Sequence, residues 1–142
     1  MRVLGVDFGR KRIGLAVGEV SAGLANARPA LAASGTLARD AEQLVAWAQR
    51  EEVDGLVLGV PMDAEGRPTS LAPIIEKLGS LLQSRGVRVW LVNEALTSAE
   101  SEALMRQHGL TAAERRHRVD GEAACRILER FFAEWPSIAV ES

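Results

Sequence analysis

The sequence contains very little of the residue types that form many functional sites. It has one cysteine, Cys125, and only two histidines among 142 residues. A disulfide within the chain and a metal site built from several cysteines are therefore excluded. Two histidines are also too few for a histidine-rich zinc site.

Long hydrophobic runs and an excess of one charge are missing as well. No apolar run approaches the roughly 20 residues that span a bilayer, and the N-terminus enters strand-like sequence without the layout of a signal peptide. We therefore expect a cytoplasmic protein. The net charge is −2, so the chain is not a globally basic nucleic-acid binder. Its length and its 47% apolar content predict one globular domain over 1–135, with a flexible tail over 136–142.

Hydrophobic patterning predicts an α/β protein. Short apolar runs favour five strands, at 2–8, 13–18, about 29–36, 55–60 and 87–92. Apolar positions at helical spacing predict four helices, at 38–52, 70–84, 97–107 and 120–134, and the polar, basic stretch 108–119 is expected to be a mobile loop. The order β-β-β-α-β-α-β-α-α predicts a mixed five-stranded sheet with helices on both faces.

Three acids occur where such a fold places ligand-binding groups. Asp7 ends the first predicted strand, Glu94 follows the fifth by two residues, and Asp120 begins the last helix on its inward face. Ligands of parallel sheets gather beyond the carboxyl ends of strands, so these three carboxylates are expected to converge. Repulsion among them would be relieved by a pair of Mg²⁺ or Mn²⁺ ions, which prefer oxygen ligands. Two such ions can activate water for phosphodiester cleavage.

Simpler interpretations of these acids remain open. Asp120 has the position of a helix N-cap, and Glu94 is also compatible with a surface ion pair. Asp7 is the hardest to explain structurally, because a carboxylate at the end of a buried strand needs a partner.

Four motifs in this order resemble the YqgF/RuvX family of ribonuclease-H-like proteins. They read GVDFGRKRIGLA at 5–16, VLGVP at 57–61 with Gly66 closing the next loop, NEALTS at 93–98 and VDGEAACRIL at 119–128. The match runs from Arg2 to about Phe132. Members of this family are described as Holliday-junction resolvases or as nucleases that trim the 5′ end of precursor 16S ribosomal RNA.

The resemblance implies a ribonuclease-H-like fold and a metal-dependent endonuclease, with Asp7, Glu94 and Asp120 as the metal-binding and catalytic acids. Branched DNA or precursor ribosomal RNA would be the substrate, and a two-fold symmetric junction would require a homodimer. One departure concerns the third motif, where the family usually has Asp-Glu-Arg and this chain has Asn93-Glu94-Ala95. That departure bears on turnover and substrate preference more than on metal binding.

Two basic clusters are candidates for contacts with nucleic acid. The first cluster, in the first turn, consists of Arg10, Lys11 and Arg12, and we expect it to contact backbone phosphates. The second cluster, in the later loop, consists of Arg115, Arg116 and Arg118, and we expect it to close over the substrate. In the family the fourth motif is often preceded by lysines, and here the second cluster carries that charge. Either cluster is alternatively a solvated surface run.

Two other classes of function are compatible with parts of the sequence. Asp-x-Gly followed by basic residues and a hairpin also resembles the phosphate loop of sugar kinases and actin-like ATPases, but those proteins need two such lobes and this chain provides one. A non-catalytic nucleic-acid or ribosome-assembly module on the same scaffold is the second alternative. The three acids argue against it, because a pure binder gains nothing by directing carboxylates at phosphate.

Overall fold

The computed structural model describes the backbone of residues 1–95 and 112–141 and the side chains of 1–94 and 121–139. Five strands and three helices lie in these ranges. In chain order they are β1 (Arg2–Phe8), β2 (Arg12–Glu19), β3 (Leu24–Ala32), α1 (Leu37–Arg50), β4 (Gly55–Met62), α2 (Ala72–Ser84), β5 (Val89–Ala95) and α3 (Ala112–Glu141). The helix predicted at 97–107 lies outside the described residues.

The strands form one mixed sheet in the order β3-β2-β1-β4-β5. β1, β2 and β3 pair antiparallel, whereas β4 pairs parallel with both β1 and β5. The carboxyl ends of β1, β4 and β5 therefore lie at the same edge of the sheet. The predicted mixed five-stranded α/β sheet is confirmed.

Two apolar cores lie on opposite faces of this sheet. Alternate residues of β1, β2 and β4 pack with α1 and α2 on one face. The intervening residues pack with α3 on the other face, around Ile127, Leu128 and Phe131. Helices therefore cover both faces, as the alternation of strands and helices predicts.

Helix α3 lies very close to the sheet because β1 has a glycine beneath it. A methyl group built at Gly5 would lie 2.6 Å from Cγ of Leu128 and 2.9 Å from the carbonyl oxygen of Ala124. Any larger side chain at this position would push the helix away from β1.

Three predicted strands differ by more than one residue from the observed bounds. β3 occupies Leu24–Ala32 rather than 29–36, because it pairs with the whole of β2 from Glu19 back to Arg12. β4 continues through Pro61 to Met62. Proline is tolerated there because the pairing of β4 with β1 ends at Leu58, so no backbone N–H of residue 61 has to donate to β1. β5 accordingly extends to Ala95, which pairs with Met62.

The last helix is much longer than predicted at both ends. α3 begins at Ala112, so the prediction of a mobile loop is wrong for residues 112–119. Their alanine, glutamate and arginine content favours helix, although the charge pattern resembles a loop. Residues 136–141 were predicted to belong to a flexible tail and instead continue the helix through Pro136 to Glu141, with Ile138 packed against the second core.

No helix within the described ranges is long and apolar enough to cross a membrane.

Candidate active site

Strand alternation directs Asp7 and Glu94 to the same face of the sheet. Val6 and Phe8, the neighbours of Asp7, belong to the core under α1 and α2, so Asp7 faces α3. Val92 belongs to the core under α3, and Glu94, two residues later in β5, faces the same way. Both carboxylates are half-buried beneath the helix.

β4 runs between these two acids and separates them by a glycine. Val6 pairs with Leu58, so Asp7 lies beside Gly59, whereas Glu94 pairs with Pro61 two residues further along. The side chain of Glu94 reaches back, because a methyl group built at Gly59 would lie 3.2 Å from Glu94 Oε2. Gly59 therefore leaves open the space between the strands that carry the two acids.

The two acids interact electrostatically. The pKa of Glu94 is raised from 4.5 to about 7, first because burial disfavours its charged form and second because of the negative charge on Asp7. Arg126 and Arg130 act in the opposite direction and lower it. A half-buried carboxylate with a strongly shifted pKa beside another carboxylate is typical of a functional site.

The two arginines of α3 were not predicted as site residues. Arg130 Nη1 donates a hydrogen bond to the carbonyl oxygen of Asn93 at 2.6 Å, next to Glu94, and Arg130 Nε lies 3.6 Å from Glu134. Arg126 and Arg130 are four residues apart and so share one helix face. That spacing was the available signal, but it becomes meaningful only once α3 is known to cross the end of β5.

Asp120 lies within α3 and does not begin it. The helix starts eight residues earlier, so the N-cap interpretation is wrong. Asp120 precedes Ala124 by one helical turn, and Ala124 packs over Gly5 of β1. Its side chain lies outside the described set, and its convergence with the other two acids stays a prediction. Among the described side chains no group of three or more histidines, cysteines, aspartates or glutamates is placed to hold a metal ion.

The first basic cluster spans the tight turn between β1 and β2 and the first residue of β2, Arg12. Arg10, Lys11 and Arg12 are exposed there. The backbone amide of Gly9 donates to the carbonyl oxygen of Arg12 at 2.9 Å, and the amide of Ala33 donates to that of Lys11 at 2.9 Å. The turn is thus fixed against the end of β3, directly after Asp7. The backbone of the second cluster, Arg115, Arg116 and Arg118, belongs to α3, and its side chains lie outside the described set.

The donor chemistry of the acid pair suits a hard divalent cation. Carboxylate oxygens are the ligands that Mg²⁺ and Mn²⁺ favour, and a bound cation would relieve the repulsion that raises the pKa of Glu94. The residues present therefore fit the ions that the resemblance implies.

Comparison with known proteins establishes the family. A family model described as "RuvX: Holliday junction resolvase" matches residues 1–134. The chain belongs to the RuvX family. Curated relatives of this RuvX protein carry the name "Putative pre-16S rRNA nuclease". One from Anaeromyxobacter sp. (strain K) is 38% identical over 91% of this chain and 94% of its own length. One from Haemophilus influenzae (strain PittEE) is 33% identical over 91% of this chain and 93% of its own length.

Solved structures confirm the ribonuclease-H-like fold of the RuvX protein. Thermus thermophilus RuvC in complex with a Holliday junction substrate superposes with a TM-score of 0.54 and 20% identity, covering 95% of this chain and 96% of that one. A second Thermus thermophilus RuvC structure gives a TM-score of 0.52 and 18% identity, and the match covers 96% of this chain and 97% of that one. The fold class predicted from the sequence is therefore confirmed.

Proposed function

We propose that this RuvX protein is a divalent-metal-dependent endonuclease that hydrolyses phosphodiester bonds in structured nucleic acid. The observation that carries the proposal is the pair formed by Asp7 and Glu94, two carboxylates from separate strands that share one face at the carboxyl edge of the sheet. Keeping two acids close in a half-buried position costs folding free energy. A bound metal cation would offset that cost, which is why such a pair indicates a metal site.

Asp7, Glu94 and Asp120 would hold the ions. Asp7 lies on β1, the central strand of the sheet, and Glu94 and Asp120 would complete the set of ligands. The bound ions would supply an activated water and charge stabilisation for the leaving oxygen. No side chain needs to act as a nucleophile. Arg126 and Arg130 would favour the carboxylate form of Glu94 and so partly offset the effects of burial and of Asp7, which favour its protonated form.

The turn after β1 would position the substrate strand. Arg10, Lys11 and Arg12 are exposed next to Asp7 and would contact backbone phosphates without reading sequence. The arginines at 115, 116 and 118 would add charge from the first turns of α3. The overall charge of −2 makes such local contacts necessary for binding a polyanion.

The names of the relatives support precursor 16S ribosomal RNA as the substrate, and the family description supports a Holliday junction. These two substrates make different demands on the protein. A four-way junction has two-fold symmetry, so its resolution requires a homodimer with two active sites. A ribosomal RNA leader requires one site only.

The test is cleavage of two labelled substrates, a four-way DNA junction and a precursor 16S ribosomal RNA leader, with Mg²⁺ or Mn²⁺. We expect cleavage by the wild-type protein, its loss in Asp7→Asn, and its retention in Glu42→Gln. Glu42 is an exposed acid on α1 and controls for loss of one negative charge. Paired symmetric nicks in the junction would identify a resolvase, and cleavage of the RNA alone would identify a processing ribonuclease. Failure to cut either substrate would overturn the proposal in favour of a non-catalytic binding module, and full activity of Asp7→Asn would overturn the mechanism.

A further inference from the structure

A cleft opens at the same end of β1, on the sheet face opposite the acid pair. Its volume is about 260 Å³, and it lies between the end of β1 and the first turns of α1 and α2. Its apolar walls are formed by Phe8, Leu37, Leu71 and Ile74. Because successive strand residues face opposite sides, Phe8 lines this cleft while its neighbour Asp7 belongs to the acid pair.

The charged residues of the cleft differ in sign and in depth. Arg10, which lines the cleft from the β1–β2 turn, is exposed, whereas Asp40 is almost completely buried at 1% exposure. Asp40 Oδ1 accepts a hydrogen bond from the backbone amide of Ser34 at 2.8 Å, which fixes the loop before α1. A phosphate is therefore repelled from the interior, where an acid lies, and attracted to the mouth, where the cation lies.

The first turn of α1 borders the cleft, and it carries both the partial positive charge of a helix N-terminus and the acid Asp40, which partly offsets that charge. Thr36 is the N-cap residue of α1 and makes no side-chain capping hydrogen bond. The partial positive charge of a helix N-terminus favours a nearby anion, as Arg10 does.

We propose that this cleft binds one unpaired nucleobase of the nucleic-acid substrate, with the phosphate of the same nucleotide held at the rim by Arg10. The inference rests on the proposed function, because the base it describes belongs to the substrate of that function. The base would lie at the same end of β1 as the acid pair, on the opposite face of the sheet. The cleft is slightly smaller than the roughly 300–1,000 Å³ typical of small-molecule sites, which suits a single heterocycle. An aromatic and aliphatic lining favours the flat face of a base, and a buried acid favours its N–H donors.

The test measures nucleotide binding directly and needs no cleavage. Saturation-transfer NMR would compare adenosine, adenosine 5′-monophosphate and ribose 5-phosphate as probes. We expect the monophosphate to bind more tightly than adenosine, with the base protons closest to the protein, and ribose 5-phosphate to bind more weakly than either.

Variants assign the binding to the cleft. Ala33 lines the cleft, and Ala33→Phe should fill it and weaken both adenosine probes by about tenfold or more. Ala38→Phe is the matched control, because Ala38 is exposed on α1 and does not line the cleft. Arg10→Gln, an exposed substitution that leaves the walls intact, should reduce the affinity for the monophosphate to that for adenosine and leave adenosine unchanged.

Three results would overturn the inference. They are no detectable adenosine binding at millimolar concentration, equal binding by a folded Ala33→Phe protein and the wild type, and ribose 5-phosphate binding as tightly as the monophosphate, which would indicate a phosphate site without a base pocket. If the nucleotides bind as expected but neither nucleic acid is cut, the cleft stands and the proposed endonuclease fails. If a nucleic acid is cut but adenosine does not bind, the endonuclease stands and the base-binding cleft fails.

Discussion

The side chains of Asp7 and Glu94 face α3 from strands on either side of β4, and the charge on Asp7 contributes to raising the pKa of Glu94 to about 7. Burial contributes more than Asp7 does, and both effects act in the same direction. The site without metal is thus under electrostatic strain near neutral pH. Its consequences for stability can be measured without knowing the substrate.

Stability should fall as the pH rises through the range in which Glu94 titrates. The folded state holds a proton on Glu94 up to about pH 7, whereas the unfolded state loses it near the ordinary value of 4.5. The folded state therefore binds more protons between these values, and the free energy of unfolding decreases from about pH 4.5 to about pH 7. After allowance for partial solvent exposure, the decrease due to Glu94 should be about 1–2 kcal/mol.

Urea unfolding at pH 5 and pH 8 in the presence of a chelator would measure this difference. Glu94→Gln should lose it, since the amide does not titrate. Glu42→Gln, which changes an exposed acid on α1, should retain it. An identical pH dependence in the wild type and Glu94→Gln would show that Glu94 titrates normally.

Divalent ions should stabilise the wild-type protein and have little effect on Asp7→Asn. Removing the charge of Asp7 relieves the repulsion on Glu94, so the variant should melt about 2–4 °C higher than the wild type without metal. Added Mg²⁺ or Mn²⁺ should raise the wild-type melting temperature in a saturable way, because an ion that binds only the folded state shifts the equilibrium by mass action. Thermal melts over a metal titration would measure both effects, with Glu42→Gln again as the control. An equal response of Asp7→Asn to metal would remove Asp7 from the ion site.

The sequence was sufficient to predict the sheet and the place of Asp7 at the end of its first strand because these signals are local. The run before Asp7 and the apolar strand 55–60 predict buried strands, and the parallel arrangement predicts the edge at which their carboxyl ends lie. The helices α1 and α2 were also predicted correctly from the helical spacing of their apolar residues, of which Leu44 and Leu78 are buried. Each of these features depends on a pattern within about 15 residues.

The parts that were predicted wrongly, or not at all, depend on pairing and packing between distant segments. Glu94 was expected beyond its strand and lies inside β5, because β4 continues past Pro61 and supplies a partner for it. The roles of Arg126 and Arg130 depend on where α3 crosses the sheet. Local composition indicates neither the strand position of Glu94 nor the roles of the two arginines. It also does not indicate the cleft beside Phe8, because three separate elements form that cleft.

Lys11→Ala should weaken binding of nucleic acid uniformly and reduce its salt dependence. Lys11 is exposed in the turn after β1, and only its backbone carbonyl takes part in the hydrogen bond from Ala33, so the variant should keep the turn. Loss of one phosphate contact should lower the slope of log K against log salt by about 1. Fluorescence anisotropy over a salt series would measure the slope. Lys77→Ala, an exposed lysine on α2, is the control, and an unchanged slope for Lys11→Ala would place the turn away from the substrate.

Gly59→Ala should destabilise the fold and disturb the acid pair, whereas Gly79→Ala should not. The added methyl group at Gly59 would overlap the side chain of Ile127 and lie 3.2 Å from Glu94 Oε2. Overpacking of this kind typically costs about 1–3 kcal/mol. At Gly79, within α2, the nearest atom would be Leu58 Cδ1 at 3.6 Å, an ordinary contact, and alanine favours helix over glycine by up to about 1 kcal/mol. Chemical unfolding should therefore show a lower free energy of unfolding than the wild type for Gly59→Ala and an equal or higher one for Gly79→Ala. Equal stability of Gly59→Ala and the wild type would mean that α3 can move away from β4 at no cost, and the close packing that holds Glu94 in place would then not be required.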